Sequence, residues 1–260
     1  MDLYDIFPEF SIFWLLLTTI VALISGFVSS WLYYIFIKRK ELEETKKLEL
    51  EQSRKERIAS EIIRWANPIH RSVQGLCYRL NNILNQAGYV ALKGGFSHSQ
   101  WSINYDYFMN STLFFFAQYF ATIESLQEEL NIEIFHSHEE KNEFYKAIVD
   151  VAKSLNKYPP GYACNGQDIQ IFSLQQRAMG EVMIKKEGNQ KRYMNYVEFL
   201  EAIKKPDFLE FFLPLKNLLE GIDRDNPNHN CRWQRLLKLH EQLIHLNSIC
   251  EKNLSISTAD

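Results

Sequence analysis

The chain has 260 residues, a formal net charge of −3 and 46% hydrophobic residues. That apolar content supports a folded core, so wholesale disorder is excluded, and the length admits one or two domains. The charge balance leaves no global basic field of the kind that holds nucleic acid, and any electrostatic argument must be local.

From Phe10 to Ile37 the run FSIFWLLLTTIVALISGFVSSWLYYIFI carries no charged residue. About 20 apolar residues cross the hydrocarbon core of a bilayer, so residues 10–37 are expected to form a transmembrane helix. Trp14 at one end and Trp31, Tyr33 and Tyr34 at the other fit interfacial aromatic belts, separated by about 30 Å at 1.5 Å per helical residue. Asp2, Asp5 and Glu9 precede the run. A secretory signal peptide starts basic, so this acidic start points to a retained anchor behind a short extracytoplasmic segment, residues 1–9. Lys38, Arg39 and Lys40 follow directly; the positive-inside rule then places everything beyond them in the cytoplasm, with these three cations at the lipid head groups.

Within the apolar run Thr18, Ala22, Gly26 and Ser30 recur every four residues. Such a stripe lets two helix backbones approach closely in lipid, which makes it a candidate for self-association; small residues are also simply common in membrane helices.

Residues 38–66 read as a charged helical stalk. Lys38 to Arg57 interleave eight basic with six acidic residues without Pro or Gly, a pattern of local ion pairs along a solvated helix. Leu42, Leu50 and Ile58 are too sparse for a heptad seam.

A helical bundle is expected over residues 67–252, with a tail at 253–260. Asn67 and Pro68 look like a helix start, and Ile69, Val73, Leu76, Leu80, Ile83 and Leu84 keep the three-four spacing of a core face. Gly88, Gly94 and Gly95 mark a loop. A helix from about Ile103 to Leu130 contains the most apolar cytosolic stretch, LFFFAQYFATI at Leu113 to Ile123, too short to span a bilayer and read as core. Ser111, Gln118, Thr122 and Ser125 form a polar stripe along it. Ser137 and Glu140 make a capping box for a helix whose core face is Phe144, Ile148, Val151 and Leu155.

KYPPGYACNGQ ends that helix, and a helix from Phe172 to Ile184 follows. Its apolar arc holds Ile171, Phe172, Leu174, Ala178, Met179, Val182 and Met183, with Gln175 near the middle and Gln176 at the boundary. A buried amide must be hydrogen-bonded or cost about 1 to 3 kcal/mol, so Gln175 is either a structural bond to a neighbouring helix or a ligand contact. Ser173, Arg177, Gly180 and Glu181 occupy the opposite arc, where Arg177 and Glu181 form a surface pair one turn apart. Gln175, Arg177 and Glu181 are the candidate ligand-binding residues. A polar hinge KKEGNQKR then leads to a helix from about Asn195 to Lys204. Asp207 and Glu210 cap a helix that must accommodate Pro214, DRDNPNHN is a turn, and Cys231 to Cys250 is the last helix. No alternating run is long enough to insist on a sheet.

Chemical motifs are absent or fail. HEQLIH, His240 to His245, spaces its histidines five apart, which rotates the imidazoles about 140° from one another and prevents a shared zinc. HSHEE, His136 to Glu140, is explained by the helix cap, and no metal site is assigned. Cys77, Cys164, Cys231 and Cys250 are widely separated, fitting neither a zinc module nor a disulfide scaffold, and are read as reduced, packed thiols. There is no glycine-rich phosphate loop, nucleophile elbow or Cys–His signature, so no cofactor and no catalytic residue is assigned.

The N-terminal anchor together with FFFAQYFATIE at Phe114 to Glu124 and QQRAMGEVMI at Gln175 to Ile184 resembles a group of bacterial single-pass, membrane-anchored, all-helical proteins to which no activity attaches. The resemblance implies that architecture and a bacterial inner-membrane location, with Gln175, Gln176 and Arg177 as landmarks without roles. The expected function is a membrane-tethered cytosolic interaction module, acting in signalling, stress or defence by assembling itself or a protein partner at the inner face. The alternative is a small-ligand sensor or enzyme with a polar pocket among the helices.

Overall fold

In a computed structural model the described residues are 8–61, 64, 67–98, 103–129, 135, 137–157, 170–188, 190–226 and 230–254. Asp2, Asp5, His136, Cys164 and most of KYPPGYACNGQ lie outside them. The chain divides into two compact units, residues 1–57 and 58–260.

Helix α1, Pro8–Glu61, is a single helix of 54 residues. In its apolar half Thr18 Oγ1 donates to the Trp14 and Leu15 carbonyls, both at 3.0 Å, and Thr19 Oγ1 to Leu15 at 2.6 Å. The charged half continues as helix to Glu61, with pairs such as Gln52 Nε2 to Glu56 Oε1 at 3.1 Å. Among the described residues this is one helix long and apolar enough to cross a membrane, and none of its apolar window is buried inside the protein.

Unit 58–260 is helical. After α2 (Asn67–Asn85) come a 3₁₀ turn (Gly88–Leu92), α3 (Tyr105–Glu129), α4 (His138–Asn156), α5 (Ser173–Glu181), α6 (Tyr196–Ala202), α7 (Pro206–Leu219) and α8 (Asn230–Leu254). The core faces read from periodicity are the buried ones: Ile69, Val73, Leu76, Leu80 and Ile83 of α2 and Phe144, Val151 and Leu155 of α4 are each 1% exposed or less. Burying such a side chain stabilises by about 1.5 to 3 kcal/mol. α8 packs on α2 and α4, while α3 packs on α2, α5, α6 and α7.

Caps set several boundaries. Ser137 Oγ accepts the Glu140 N–H at 3.1 Å, as expected. Asn195 Oδ1 accepts from Glu198 N and Glu198 Oε2 from Asn195 N, each at 3.0 Å, opening α6. α7 departs from expectation: it starts at Pro206, with Lys205 at the cap, and not on an Asp207–Glu210 box. Proline at the first turn has no N–H to lose there, so it defines the start by itself.

Two antiparallel pairs of two to four residues accompany the helices, each too short to leave an alternating run in the sequence. β1 (Ser97–His98) pairs with β2 (Ile103–Asn104), and β3 (Ile184–Glu187) with β4 (Gln190–Tyr193) in the register Ile184 to Tyr193. The polar hinge KKEGNQKR is therefore a hairpin, turned at Gly188 with φ +62, a left-handed value glycine adopts without strain. Side chains hold it down: Lys185 Nζ and Arg192 Nη1 both reach Glu198, each at 2.7 Å.

The cysteine expectation holds in part. Cys77 and Cys250 are free and buried, but Cys231 is disulfide-bonded; spacing alone gave no sign of it.

Candidate functional site

Helix α5 is positioned by one close approach. A Cβ on Gly180 would lie 2.7 Å from the Phe120 carbonyl oxygen of α3, so only glycine lets the two backbones meet there. With that contact fixed, the inward face of α5 is Gln176, Met179 and Gly180, continued by Met183 beyond the helix end. This corrects the expected arc. Phe172 is extended and sits outside the helix at its cap, so it does not share the helical wheel, and it is 57% exposed, with Leu174 78% exposed.

The two glutamines exchange roles accordingly. Gln175 is half-buried, and its Oε1 accepts the Phe172 N–H at 2.8 Å, so it tethers the start of α5. Gln176 is the buried amide: its Nε2 donates to the Ala152 carbonyl of α4 at 3.1 Å and to the Ile171 carbonyl at 2.8 Å. Both bonds are to main chain, which makes Gln176 a packing residue joining α4 to α5.

Arg177 and Glu181 pair as expected, Nε to Oε1 at 2.9 Å. The second arm of Arg177 was not legible: Nη2 reaches Glu124 Oε1 of α3 at 3.0 Å, and the Glu124 side chain is only 7% exposed. A carboxylate in the last turns of α3, where Glu128 and Glu129 follow it, carries no local signal of a partner on another helix. The Arg177 guanidinium therefore ties α5 to α3 as well as to its own next turn.

Beside this pair α3, α4 and α5 enclose a half-open groove of ≈ 550 Å³. Phe120, Ile123, Ile148, Val149 and Leu174 give it an apolar floor and walls, and Lys153, Lys157 and Arg177 stand among its lining residues. Asn156 also lines it, donating to Ser173 Oγ at 3.0 Å, while its buried Oδ1 has no partner among the described residues. On the other side of Leu174 a second groove of ≈ 460 Å³ is lined by Gln175, Ala178, Glu210, Phe211 and Pro214. Gln175 and Arg177 thus face different grooves, and Glu181 lines neither. The larger groove offers apolar surface, and its lining also holds the Glu124 carboxylate paired with Arg177, while Lys157 takes part in no ion pair among the described residues.

The remaining candidate residues lie on α1. Thr18, Ala22, Gly26 and Ser30 are all exposed, and a Cβ on Gly26 would meet nothing within 4 Å. Lys38, Arg39 and Lys40 are exposed, with Lys38 Nζ 5.9 Å from the Tyr34 ring centroid. For metals, no cluster of three or more ligating side chains occurs among the described residues, and His240 is half-buried while His245 is exposed, as their divergence on α8 requires.

Elsewhere ionisable groups are tuned by packing. Burial lowers the Arg79 pKa; its guanidinium stacks 4.5 Å from the Phe108 ring centroid and donates to Ser111 Oγ at 3.0 Å. That bond also accounts for the first member of the polar stripe on α3. Arg192 and Lys185 hold the Glu198 carboxyl well below the usual carboxylate range. Burial pushes the Cys77 and Cys250 thiols up to about 12, so both are protonated and unreactive at neutral pH.

The chain as a whole matches no protein-family model, no curated protein and no solved structure, so the functional reading rests on this geometry and on the sequence.

Proposed function

We propose that the protein is a membrane-tethered interaction module, anchored by residues 10–37 in the inner membrane of a bacterial cell, with its C-terminal unit in the cytoplasm. The observation that carries this reading is the apolar half of α1, none of whose apolar window is buried among the described residues: Phe27 is 77% and Leu23 73% exposed. So much contiguous apolar surface is sustained only in lipid or against another apolar body. Lys38, Arg39 and Lys40 sit at the cytoplasmic head groups, and the stripe of Thr18, Ala22, Gly26 and Ser30 brings two anchors together. The module assembles itself, or a protein partner, at the inner face in signalling, stress or defence.

Alkaline carbonate extraction tests the anchor, with retention in the pellet expected; release into the supernatant removes the reading. Orientation has one observation on the other side. The disulfide at Cys231 is a bond of oxidising compartments, whereas the cations at 38–40 favour the cytoplasm. Fusions of alkaline phosphatase and of a fluorescent protein to the C-terminus decide between them, since each reporter is active on one side only. Cytoplasmic fluorescence without phosphatase activity is expected.

A second reading, a small-ligand sensor, is favoured by the ≈ 550 Å³ groove and by Asn156 Oδ1 in its lining, which has no partner among the described residues. Native mass spectrometry of the full chain extracted from its own membranes separates the two: a multiple of the chain mass or a stoichiometric second protein supports the module, and a monomer carrying a small extra mass supports the sensor.

A further inference from the structure

We propose that the face formed by α4, α5 and α7 is a two-fold interface between two copies of this chain, in which Leu174 of each copy enters the α4–α5 groove of the other. This deepens the self-assembly reading above, and rests on it for the shared membrane that holds the copies together. Among the described residues of the unit Leu174 is the most exposed large apolar side chain, at 78%, and it stands between two grooves, lining both. A protruding apolar knob beside an apolar hole on one surface is what an isologous interface needs, because a two-fold rotation carries each knob into the partner's hole.

The charges around Leu174 select the occupant. On the α4 side Lys157 is exposed, and on the α7 side Glu210 is exposed. Lys153 already pairs with Asp150 at 3.3 Å, and Arg177 with Glu124 and Glu181. Lys157 and Glu210 take part in no ion pair among the described residues. A two-fold axis near Leu174 sets the basic side of one copy against the acidic side of the other, twice. A partner of one net sign would leave one of these flanks opposed to like charge. A small molecule in the groove would use neither Leu174's exposed side nor Glu210.

The test uses the full chain in its own membranes with a photo-reactive phenylalanine analogue at Phe172, an exposed ring next to Leu174. Irradiation is expected to give covalent dimers whose cross-linked peptide comes from α4. Leu174→Glu abolishes them. Lys157→Glu or Glu210→Lys alone lowers the yield about fivefold or more at low salt, as expected when two exposed pairs turn repulsive. The double variant Lys157→Glu/Glu210→Lys restores it, since the reversed charges again face one another. Thermal unfolding of each variant at the wild-type temperature shows that the fold is intact.

Cross-links to another protein, no cross-links in a chain that the carbonate pellet retains, or a double variant as weak as the singles overturn the proposal and leave the anchor standing. Loss from the pellet instead removes the anchored reading itself. A small molecule that co-purifies in the groove and blocks the cross-link also overturns the interface.

Discussion

Replacing Gly180 by alanine sets two effects of opposite sign against each other. Alanine in a helix interior is favoured over glycine by about 1 kcal/mol, so propensity alone expects stabilisation. The added Cβ, however, would sit 2.7 Å from the Phe120 carbonyl oxygen and 3.1 Å from the Ala121 nitrogen. These are main-chain atoms of α3 and cannot rotate aside, so α5 must lift off α3. Overpacking of this kind costs about 1 to 3 kcal/mol, and lifting α5 also strains the bonds of Gln176 to Ala152 and Ile171. A net loss of about 1 to 2 kcal/mol is expected, which for a unit of this size lowers the melting temperature by about 2 to 8 °C.

Two control glycines grade the argument. At Gly75 the new Cβ meets the Phe115 ring at 3.0 Å, a side chain that can shift, so Gly75→Ala stays within about 1 kcal/mol of wild type. At Gly26 nothing lies within 4 Å, and Gly26→Ala leaves the unfolding of residues 58–260 unchanged. The assay is thermal unfolding of the full chain in micelles, followed by the fluorescence of the buried Trp233. A Gly180→Ala variant that melts at or above wild type, or a Gly75→Ala variant that loses as much, refutes the reasoning.

Further expectations follow from the caps and the tuned groups. Ser137→Ala removes the oxygen that accepts the Glu140 N–H and lowers stability by about 1 kcal/mol; urea unfolding measures it, and Ser137→Asp should retain most of it. The Glu198 carboxyl is held low by Arg192 and Lys185, so its contribution is fully present above its unfolded pKa of about 4.3 and is lost as pH falls toward the lower folded value. Melting temperature against pH should therefore drop on the acid side, and Glu198→Gln should flatten that limb; an unchanged acid limb argues against the assignment. Cys77 and Cys250, buried and pushed up to about 12, should take up maleimide at pH 7 only after unfolding, read by intact mass.

What the sequence disclosed follows the range of the forces involved. The inward faces of α2 and α4 were legible because they repeat over five turns, and one wrong residue does not change the average. The cap at Ser137 was legible because a capping box is a contact between residues three apart. The face of α5 was not. It is a nine-residue helix whose rotation is set by a single glycine against α3, and its first two apolar neighbours, Ile171 and Phe172, are not helical. The pattern placed Gln175 inward where packing places Gln176. The pairing of Glu124 with Arg177, and the hairpin pinned by Lys185 and Arg192 to Glu198, fail for the same reason: each is made by residues on different elements, and charged segments such as KKEGNQKR read as hinges until their partners are in view.

In the proposed dimer the groove and the anchor depend on each other energetically. One leucine in an apolar groove contributes about 1.5 to 3 kcal/mol, and two-fold symmetry doubles it. Free association of two molecules costs an estimated 4 to 15 kcal/mol in lost translation and rotation. On those magnitudes the Leu174 face does not hold two untethered units together. An anchored chain has already given up motion out of the membrane plane and most tumbling, and contact between two α1 helices raises the local concentration of the units to the millimolar range typical of short linkers. An interface too weak for solution becomes sufficient there. It follows that assembly through Leu174 responds to the density of chains in the membrane, and that the two flanking pairs, screened over about 8 Å at physiological salt, set the register of the dimer more than its strength.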